Sequence, residues 1–469
     1  MKIGQGLTIP LGARKKALSD RSCPSSRTVS SIMEENTKST TWKFMGAISV
    51  FVALANPLRA QHYAVRNLGT LGGVQGSSAK SINDGGWVSG YANLAGDMVE
   101  HAALWRDGVV TDLGTLGGSN SAVFFPAKNN AGLIAGYSQI SNPQGPVTFC
   151  TFVCTNTGGP CQENGNQPCR GFVWRNGVMN PLGTLGGNNS LALGVNDRGL
   201  VVGTAENNVQ DASCIPPQSF DYKAVTWLAG KIHELPAFPG DPIAAAVGVN
   251  DNDQVVGASG NCGDGAASTV YLHAILWQNP STLPTDLGNL GGAMNNLAYA
   301  INERGQIVGA SDLTGDNTGH GFLWQQESGM TDLGTLTGDF SSVAYSINNK
   351  GQVVGQSCNS DLSICRAFLW KGGVMTDLNT LIPSDSPLFV ISADDINDRG
   401  EIVGIGLDQS SGEQPAFLAV PCDEQHVDDQ GCQDAAQSTI GLQRPKVVLS
   451  ENIRQQLQQQ MRFGRFGVR

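Results

Sequence analysis

The sequence is poor in several features that would point to other classes of protein. Charged residues make up 15% of the chain, below the share of an ordinary globular domain. Residues 62–420 never carry apolar side chains at the 3.6-residue spacing of a long amphipathic helix, which argues against a helical architecture. Neither EF-hand spacing nor a paired CxxC motif occurs. The apolar stretch at residues 44–58 is shorter than a typical membrane span.

Glycine is abundant instead, at 60 of 469 residues, and it ends a phrase that returns seven times. Each copy contains Asn, a few turn-forming residues, a short apolar run and Gly, as in GVNDRGLVVG and AINERGQIVG. Self-similarity at a period of roughly 50 residues indicates one supersecondary unit copied along the chain. The repeated asparagines are Asn83, Asn129, Asn196, Asn250, Asn302, Asn348 and Asn397.

Two further phrases travel with the first one. A strand-like segment ends in Trp, as in HAALW and HGFLW, and another segment runs into LGTLGG after a polar turn. Each unit therefore predicts four short strands, A to D. Strand A precedes the Asn turn, strand B is the apolar run, strand C ends in Trp, and strand D leads into LGTLGG. Continuous apolar runs indicate sheets covered on both faces. The pattern predicts an all-β protein built as a β-propeller, with a long β-solenoid as the alternative.

The two ends of the repeat region predict how the ring closes. Residues 62–73 contain only the last strand of a unit, whereas the seventh unit stops after its third strand. Pairing of these two ends would leave no open sheet edge. We therefore predict a seven-bladed β-propeller of four-stranded antiparallel blades, closed by the N-terminal strand. The predicted blades are residues 74–118, 119–187, 188–240, 241–292, 293–338, 339–383, and 384–420 together with 62–73.

The Trp strand begins with a His-Ala-Phe-like tripeptide, and the chain thereby resembles the HAF-type extracellular repeat family. The copies most similar to that pattern are residues 101–105, 273–277, 320–324 and 366–370. The resemblance extends over residues 62–420, where the linked phrases recur together. It implies a secreted or cell-surface protein, and it implies no established reaction and no catalytic residues.

Residues 1–60 are interpreted as a leader with a signal peptide. They are polar and basic up to Lys43 and apolar over residues 44–58, and Ala60 is a small residue suited to cleavage. A retained membrane anchor is the alternative. Cleavage would leave no transmembrane anchor. It would remove nine of the 29 basic and three of the 40 acidic residues, changing the net charge from −11 to about −17. Such a surface repels phosphate backbones, so nucleic acid is not expected as a partner.

The propeller is predicted to occupy residues 61–420, and residues 421–469 form a tail with a small cysteine loop and either a short helix or a disordered end. Ten of the eleven cysteines follow residue 60, and an even number in an exported chain indicates disulfides. The cluster of four cysteines between residues 150 and 169 could instead bind zinc. The expected local disulfide pairs are Cys358 with Cys365 and Cys422 with Cys432.

The insertions that distinguish the repeats fall between strands B and C. In a four-stranded meander this connection emerges on the same face of the disc as the D-to-A connection, and repeat proteins commonly bind ligands where insertions gather. The alternative is that these loops have no binding role and vary only because nothing restrains them. Oxygen-rich loops can bind calcium, and Asp264, Asp312 and Asp316 are the candidate ligands. The other candidate binding residues are Asp97, Glu100, Glu206, Asp211, Asp221, Asp361 and Asp408.

The remaining repeated residues are expected to be structural. The Asn amide should close its own turn, and the Trp should pack in the core or between blades. His or a basic residue recurs four residues before Trp, where it should pair across the C-to-D hairpin with an Asp; a ring of cations binding an anion is the alternative. The expected pairing residues are His101, His273, His320 and Arg366 with Asp112, Asp286, Asp332 and Asp377.

No catalytic residue and no cofactor other than calcium is predicted. The sequence favours a monomeric, non-enzymatic binding module for an extracellular polymer or protein, carbohydrate included. An extracellular polysaccharide-degrading hydrolase or lyase, with carboxylates drawn from the same loops, is the alternative.

Overall fold

The computed structural model describes residues 62–127, 129–141, 168–211, 214, 220–261, 271–423, 432, 447–451, 453–454 and 457. The chain divides into two compact units, Met1–Leu58 and Arg59–Arg469, and all described residues belong to the second unit. The predicted signal peptide therefore lies outside the described residues. Within the described ranges, no helix has the length and apolar character needed to cross a membrane.

Each repeat folds into a four-stranded antiparallel sheet, and the described residues form seven such sheets. The apolar runs form the central strands, and Asn, Asp and Gly supply the turns between them. Blade 1 contains β2 (Gly72–Ile82), β3 (Val88–Leu94), β4 (Glu100–Arg106) and β5 (Val109–Asp112). Blade 2 contains β6 (Gly117–Ala122), β7 (Ile134–Ile140), β8 (Cys169–Arg175) and β9 (Val178–Pro181). Blade 3 contains β10 (Gly186–Val195), β11 (Val201–Gln210), β12 (Phe220–Leu228) and β13 (Lys231–Glu234).

The other four blades follow the same order. Blade 4 contains β14 (Ile243–Val249), β15 (Val255–Gly260), β16 (Leu272–Trp277) and β17 (Thr285–Asp286). Blade 5 contains β18 (Gly291–Ile301), β19 (Ile307–Leu313), β20 (Gly319–Gln325) and β21 (Gly329–Asp332). Blade 6 contains β22 (Ser341–Ile347), β23 (Val353–Cys358), β24 (Cys365–Lys371) and β25 (Val374–Asp377). A 3-10 turn, Leu378–Thr380, precedes blade 7, which contains β26 (Leu388–Ile396), β27 (Ile402–Asp408), β28 (Ala416–Pro421) and β1 (Tyr63–Asn67).

The N-terminal strand closes the ring, as predicted. β1 pairs antiparallel with β28, with Tyr63 opposite Pro421 and Asn67 opposite Phe417. Tyr63 is fully buried, and its backbone N–H donates to the carbonyl of Leu381 at 2.8 Å. The seventh blade therefore has the same four strands as the others, and its outermost strand comes from the opposite end of the chain.

Aromatic side chains pack against one another across the axis of the propeller. The ring of Phe125 in blade 2 lies 6.0 Å from that of Tyr299 in blade 5, a contact between blades that are not neighbours in the ring. Phe124 and Tyr345 extend this cluster on either side, at 5.3 Å from Phe125 and 5.7 Å from Tyr299. The repeat pattern does not predict this cluster, because blade 2 departs from the repeat where β6 ends at Ala122.

The repeated tryptophans join neighbouring blades, which confirms their predicted packing role. Trp227 and Trp277 are almost completely buried. The indole N–H of Trp277 donates to the carbonyl of Pro236 in the preceding unit at 2.8 Å, and that of Trp227 donates to Gly183 at 3.2 Å. Each indole thus combines apolar burial with a satisfied hydrogen bond between blades.

Part of the C-terminal tail packs back on the propeller. Leu449, Ile453 and Leu457 are buried in a cluster with the Cys358–Cys365 disulfide, and the N–H of Leu449 donates to the carbonyl of Ser363 at 2.8 Å. The described residues around Ile453 are helical. Both predicted disulfides, Cys358–Cys365 and Cys422–Cys432, are present.

Candidate functional site

The propeller has two different faces. The A–B face carries the seven Asn turns and the C-to-D turns, whereas the B–C face carries the loops between strands B and C and the D-to-A connections. The described ends of the insertions between strands B and C lie on the B–C face, as predicted. Each face is therefore a separate candidate site.

The repeated asparagines form a closed hydrogen-bonded ring on the A–B face. Each Nδ2 donates to the backbone carbonyl of the Asn in the next blade at 2.6–3.1 Å, and the bond from Asn397 to Asn83 completes the circle. Each Oδ1 also accepts from the backbone N–H four residues further on, which closes the turn as predicted. These donors are Trp87, Leu133, Leu200, Gln254, Gln306, Gln352 and Glu401.

The residues that follow the asparagines form a second ring, which we call the rim. The backbone N–H of each rim residue donates to the side-chain oxygen of the rim residue in the next blade, and the seven bonds again form a closed circle. Five members are acidic and two are amides. The rim residues are Asp84, Asn130, Asp197, Asp251, Glu303, Asn349 and Asp398.

A cavity of about 100 Å³ opens on the axis inside the rim. Residues of all seven blades line it, which places it at the centre of the A–B face. The residues that precede four of the asparagines in strand A also border the cavity, but three of them, Ile82, Ile301 and Ile347, are buried in the cores between blades. The acidic residues of the turns were visible in the sequence, but only the structure brings them together around one cavity.

Most of the predicted binding carboxylates of the B–C face hold neighbouring backbone in place. Glu206 Oε2 accepts from the N–H groups of Asn188 and Asn189 at 3.0 Å. Asp97 Oδ2 accepts from Val74 N–H at 3.1 Å, at the start of strand A in its own blade. Asp361 and Asp408 bind the serine two residues further on, and these hydrogen bonds lower the pKa of both carboxyls.

Glu100 lies in the core rather than at a loop surface. Burial raises the pKa of its carboxyl well above the ordinary value, although the charge of Lys80 opposes this. Within the described part of the chain, Glu100 Oε2 has no hydrogen-bond partner. Nearby, Lys80 Nζ makes a buried ion pair with Asp394 Oδ2 at 3.3 Å. Glu100 is therefore not accessible to a ligand in this conformation.

The calcium candidates Asp312 and Asp316 both accept hydrogen bonds from strand A of their own blade. Asp312 Oδ2 accepts from the Asn295 amide, and Asp316 Oδ1 accepts from Ala293 N–H at 2.7 Å. Asp264 lies outside the described residues. Calcium binding by these residues stays a prediction.

Two other predicted binding residues, Asp211 and Asp221, do come together. With Cys214 they form a group whose potential ligand atoms all lie within 4.8 Å of one another, the one such group of three found in the described ranges. Cys214 is disulfide-bonded, so its sulfur is not a free thiolate ligand. Cys169 of the predicted zinc cluster is also in a disulfide. Lys223 Nζ contacts Asp221 Oδ2 at 3.1 Å.

The predicted cross-strand charge pairs form in three blades. Asp112 binds His101 Nδ1 at 2.8 Å, Asp332 binds His320 Nδ1 at 3.0 Å, and Asp377 binds Arg366. The predicted pairing in blade 4 is wrong: His273 Nδ1 contacts Asp241 Oδ2 at 3.0 Å instead of Asp286. The degenerate connection before β14 places Asp241 beside the imidazole, a position that the repeat pattern could not predict.

We expect the His320–Asp332 pair to contribute to stability at neutral pH and to lose this contribution in acid. Burial raises the pKa of Asp332, but the hydrogen bonds from His320 and Gly334 outweigh it, so the pKa is lowered overall. Stability from this group is therefore complete above the unfolded-state pKa of about 4 and is lost as the pH falls through the lower folded-state pKa. We expect Asp332→Asn to lower the free energy of unfolding at neutral pH by under about 1 kcal/mol, because the Asp332 side chain is 42% exposed and solvent screens the pair.

Urea denaturation of both proteins at about pH 7 and about pH 3 measures this effect, and the two curves should converge at the lower pH. Asp286→Asn serves as the control, because Asp286 accepts from Gly288 N–H in the same kind of turn without a histidine partner. A difference between Asp332→Asn and the wild type that is unchanged at acid pH would contradict the expectation.

One family model matches part of the chain. A family model described as "Protein of unknown function (DUF3466)" matches residues 241–433, less than half of the chain. No curated protein matches the chain in sequence.

Several solved structures are similar in fold to this β-propeller. One is the β-propeller domain of the trilobed protease from Pyrococcus furiosus, with 10% identity and a TM-score of 0.45 over 75% of this chain and 94% of that chain. A Trypanosoma rangeli sialidase in complex with 2,3-difluorosialic acid has 9% identity and a TM-score of 0.35 over 67% of this chain and 55% of that one. The putative TolB from Agrobacterium tumefaciens has 13% identity and a TM-score of 0.31, covering 53% and 82%. Identities this low transfer no activity.

Proposed function

We propose that this protein is an exported β-propeller of the HAF-repeat type that acts as a non-enzymatic binding module, secreted or at the cell surface. Its ligand would be an extracellular polymer or protein, carbohydrate included, held by the B–C face. The observation that carries the proposal is the contrast between the faces. The A–B turns repeat one hydrogen-bonding scheme in every blade, whereas the loops of the B–C face differ from blade to blade.

Disulfides on the B–C face support both export and a defined binding surface. The loop between β23 and β24 is closed by Cys358–Cys365, and Cys169 and Cys214, beside two other B–C connections, are also disulfide-bonded. Disulfides persist in oxidising compartments. A loop fixed before binding loses less conformational entropy when a ligand arrives, which favours affinity.

Exposed apolar side chains offer a way to test which face binds. Met98 and Tyr271 on the B–C face are 54% and 48% exposed, and Leu228 and Leu283 in C-to-D turns on the other face are 53% and 66% exposed. Purified full-length protein would be incubated with an array of glycans and cell-envelope polymers, and both retention and chain shortening would be scored. The variants Met98→Ser/Tyr271→Ser and Leu228→Ser/Leu283→Ser form a matched pair.

Retention without shortening is the expected result. The B–C double variant should bind about tenfold more weakly, because exposed apolar anchors commonly dominate an interface. The matched variant on the opposite face should bind like the wild type. Absence of retention on every polymer, or equal loss in both variants, would contradict the proposal.

A polysaccharide-degrading enzyme is the second candidate, and the pairing of Asp211 with Asp221 supports it. Two carboxyl groups about 5 Å apart suit a retaining glycosidase, and the oxygens of this pair lie within 4.8 Å. Shortened glycan products that disappear with Asp211→Asn would favour this candidate over the binding module.

A further inference from the structure

A short part of the C-terminal tail is bound in a groove on the B–C face. It consists of the described residues from Val447 to Leu457, which we call the docked tail. Leu449, Ile453 and Leu457 are buried, whereas Val448 beside them is 71% exposed. Ile453 and Leu457 belong to the helical part and are four residues apart, so they lie on one helix face. The docked tail is therefore amphipathic, and its apolar face packs on the propeller.

The groove is formed by the ends of blades 6 and 7 that lie at the B–C face. Blade 6 contributes the Cys358–Cys365 disulfide, which joins the end of strand B to the start of strand C. Blade 7 contributes Phe389 and Ile391 near the start of β26 and Leu407 near the end of β27. These side chains form one buried cluster with the docked tail. Because the disulfide closes its loop independently of the tail, one wall of the groove is preorganised.

Two polar contacts fix the position of the docked tail in the groove. The N–H of Leu449 donates to the carbonyl of Ser363 at 2.8 Å, and Arg454 Nη1 lies 3.8 Å from Asp361 Oδ2. Both partners belong to the loop between β23 and β24. Asp361 is also one of the predicted binding carboxylates of this face. The groove thus combines an apolar floor with an acidic edge, which suits an amphipathic helix that carries a basic residue.

The docked tail is separate from the structure that it covers. The seven described sheets, including the closing strand, are complete between Tyr63 and Pro421. Isolated helices of two or three turns are marginal in water, so the helical part of the tail depends on the groove for its order. A segment held by few buried contacts can open while the rest of the fold stays intact. Because the tail is tethered, it competes with any other ligand of the groove at a high effective concentration.

We propose that the docked tail is a displaceable self-ligand of a peptide-binding groove. The partner that replaces it is an extracellular protein that presents an amphipathic helix, with apolar side chains four residues apart and a basic residue beside them, as in the docked tail. This inference rests on the proposed function as a binding module and adds a protein-binding groove to the B–C face. Met98 and Tyr271 belong to blades 1 and 4, so polymer retention and opening of the groove can be measured separately.

A fluorescent peptide with the sequence of residues 447–461 tests whether the groove can be vacated and refilled. It is titrated against full-length wild type and full-length Ile453→Ser/Leu457→Ser, and fluorescence anisotropy is recorded. The peptide should bind the double variant at least about tenfold more tightly, because the weakened tail no longer competes for the groove. Val448→Ser is the matched control, since this exposed side chain lies in the same segment, and it should bind the peptide like the wild type. A peptide carrying the same two serines should bind at least about tenfold more weakly.

Hydrogen exchange of the wild-type protein gives a second measurement that requires no variant. The N–H groups of Leu449 and Arg454 donate to Ser363 O and Ser450 O. Their protection factors should be at least about tenfold lower than those of β26 and β27, because the tail opens on its own. Equal protection of the tail and these strands would make the tail a fixed part of the fold and would overturn the inference. Failure of the peptide to bind the double variant, or equal binding by the double variant and the wild type, would also overturn it.

Sedimentation separates a partner protein from a second copy of this chain. The wild type should be monomeric at all concentrations. A concentration-dependent dimer that is lost in Ile453→Ser/Leu457→Ser would assign the groove to the tail of a second copy and would overturn the proposed partner. Absence of retention on every polymer would contradict the proposed function, whereas tight binding of the peptide by the double variant would still support the groove.

Discussion

Replacement of Asn348 by Ala is expected to lower the free energy of unfolding by about 3–4 kcal/mol. Asn348 is almost completely buried, and its amide donates to Asn397 O at 3.0 Å and to Gln352 Oε1 at 2.9 Å. Its Oδ1 accepts from the N–H groups of Gln352 and Lys350. Alanine would leave these buried groups without partners, and an unsatisfied buried group costs more than the bond itself contributed. Urea denaturation followed by tryptophan fluorescence measures the change.

The neighbouring residue supplies the control for this prediction. Asn349 belongs to the same turn but is exposed, so water can replace its hydrogen bonds, and Asn349→Ala should change stability by under about 1 kcal/mol. Asn302→Ala should resemble Asn348→Ala, because Asn302 makes the corresponding bonds to Asn348 and Gln306. Equal and small effects of Asn348→Ala and Asn349→Ala would show that the ring does not contribute to stability in this way.

The Asn ring also explains why one residue type recurs at this position. The side chain must accept from its own turn and donate to the next blade at the same time. Aspartate lacks the donor, and serine offers a single short hydroxyl, whereas the amide provides an oxygen and two N–H groups. The sequence predicted the bond within the turn. The bond between blades could not be predicted, because the partner lies 46 to 67 residues away for adjacent blades and is set by blade packing.

Elsewhere too, features set by local sequence were predictable, and contacts between distant parts of the chain were not. Blade count, strand order and ring closure follow from repeated local patterns, and the structure confirms them. The aromatic cluster at Phe125 and the pairing of His273 with Asp241 occur where a repeat is degenerate, so no pattern indicated them. The rim cavity was unpredictable for a different reason. Each rim residue was visible in the sequence, but their convergence on one axis is a property of the closed ring.

Replacement of Tyr63 by Ala is expected to destabilise the protein by about 3–5 kcal/mol and to weaken the closure of the ring. Tyr63 is the first residue of β1, is fully buried, and packs in a cluster with Leu378, Ile382 and Ala419. Closure depends on five residue pairs between β1 and β28, so loss of this aromatic anchor should let β1 detach first. Hydrogen exchange should then increase in β1 before it increases in the inner strands of blade 7.

Val109→Ala provides the matched control, because Val109 is the first residue of β5, the outermost strand of blade 1, but is 62% exposed. It should change stability by about 0.5 kcal/mol or less, and Tyr63→Phe should destabilise the protein much less than Tyr63→Ala because it keeps the buried ring. Detachment of β1 would expose the edge of β28 to pairing with another chain, so Tyr63→Ala should also form concentration-dependent oligomers. Global unfolding without earlier exchange in β1 would instead mean that β1 opens only together with the whole ring. In that case the closing strand is an integral part of the cooperative unit and cannot open on its own.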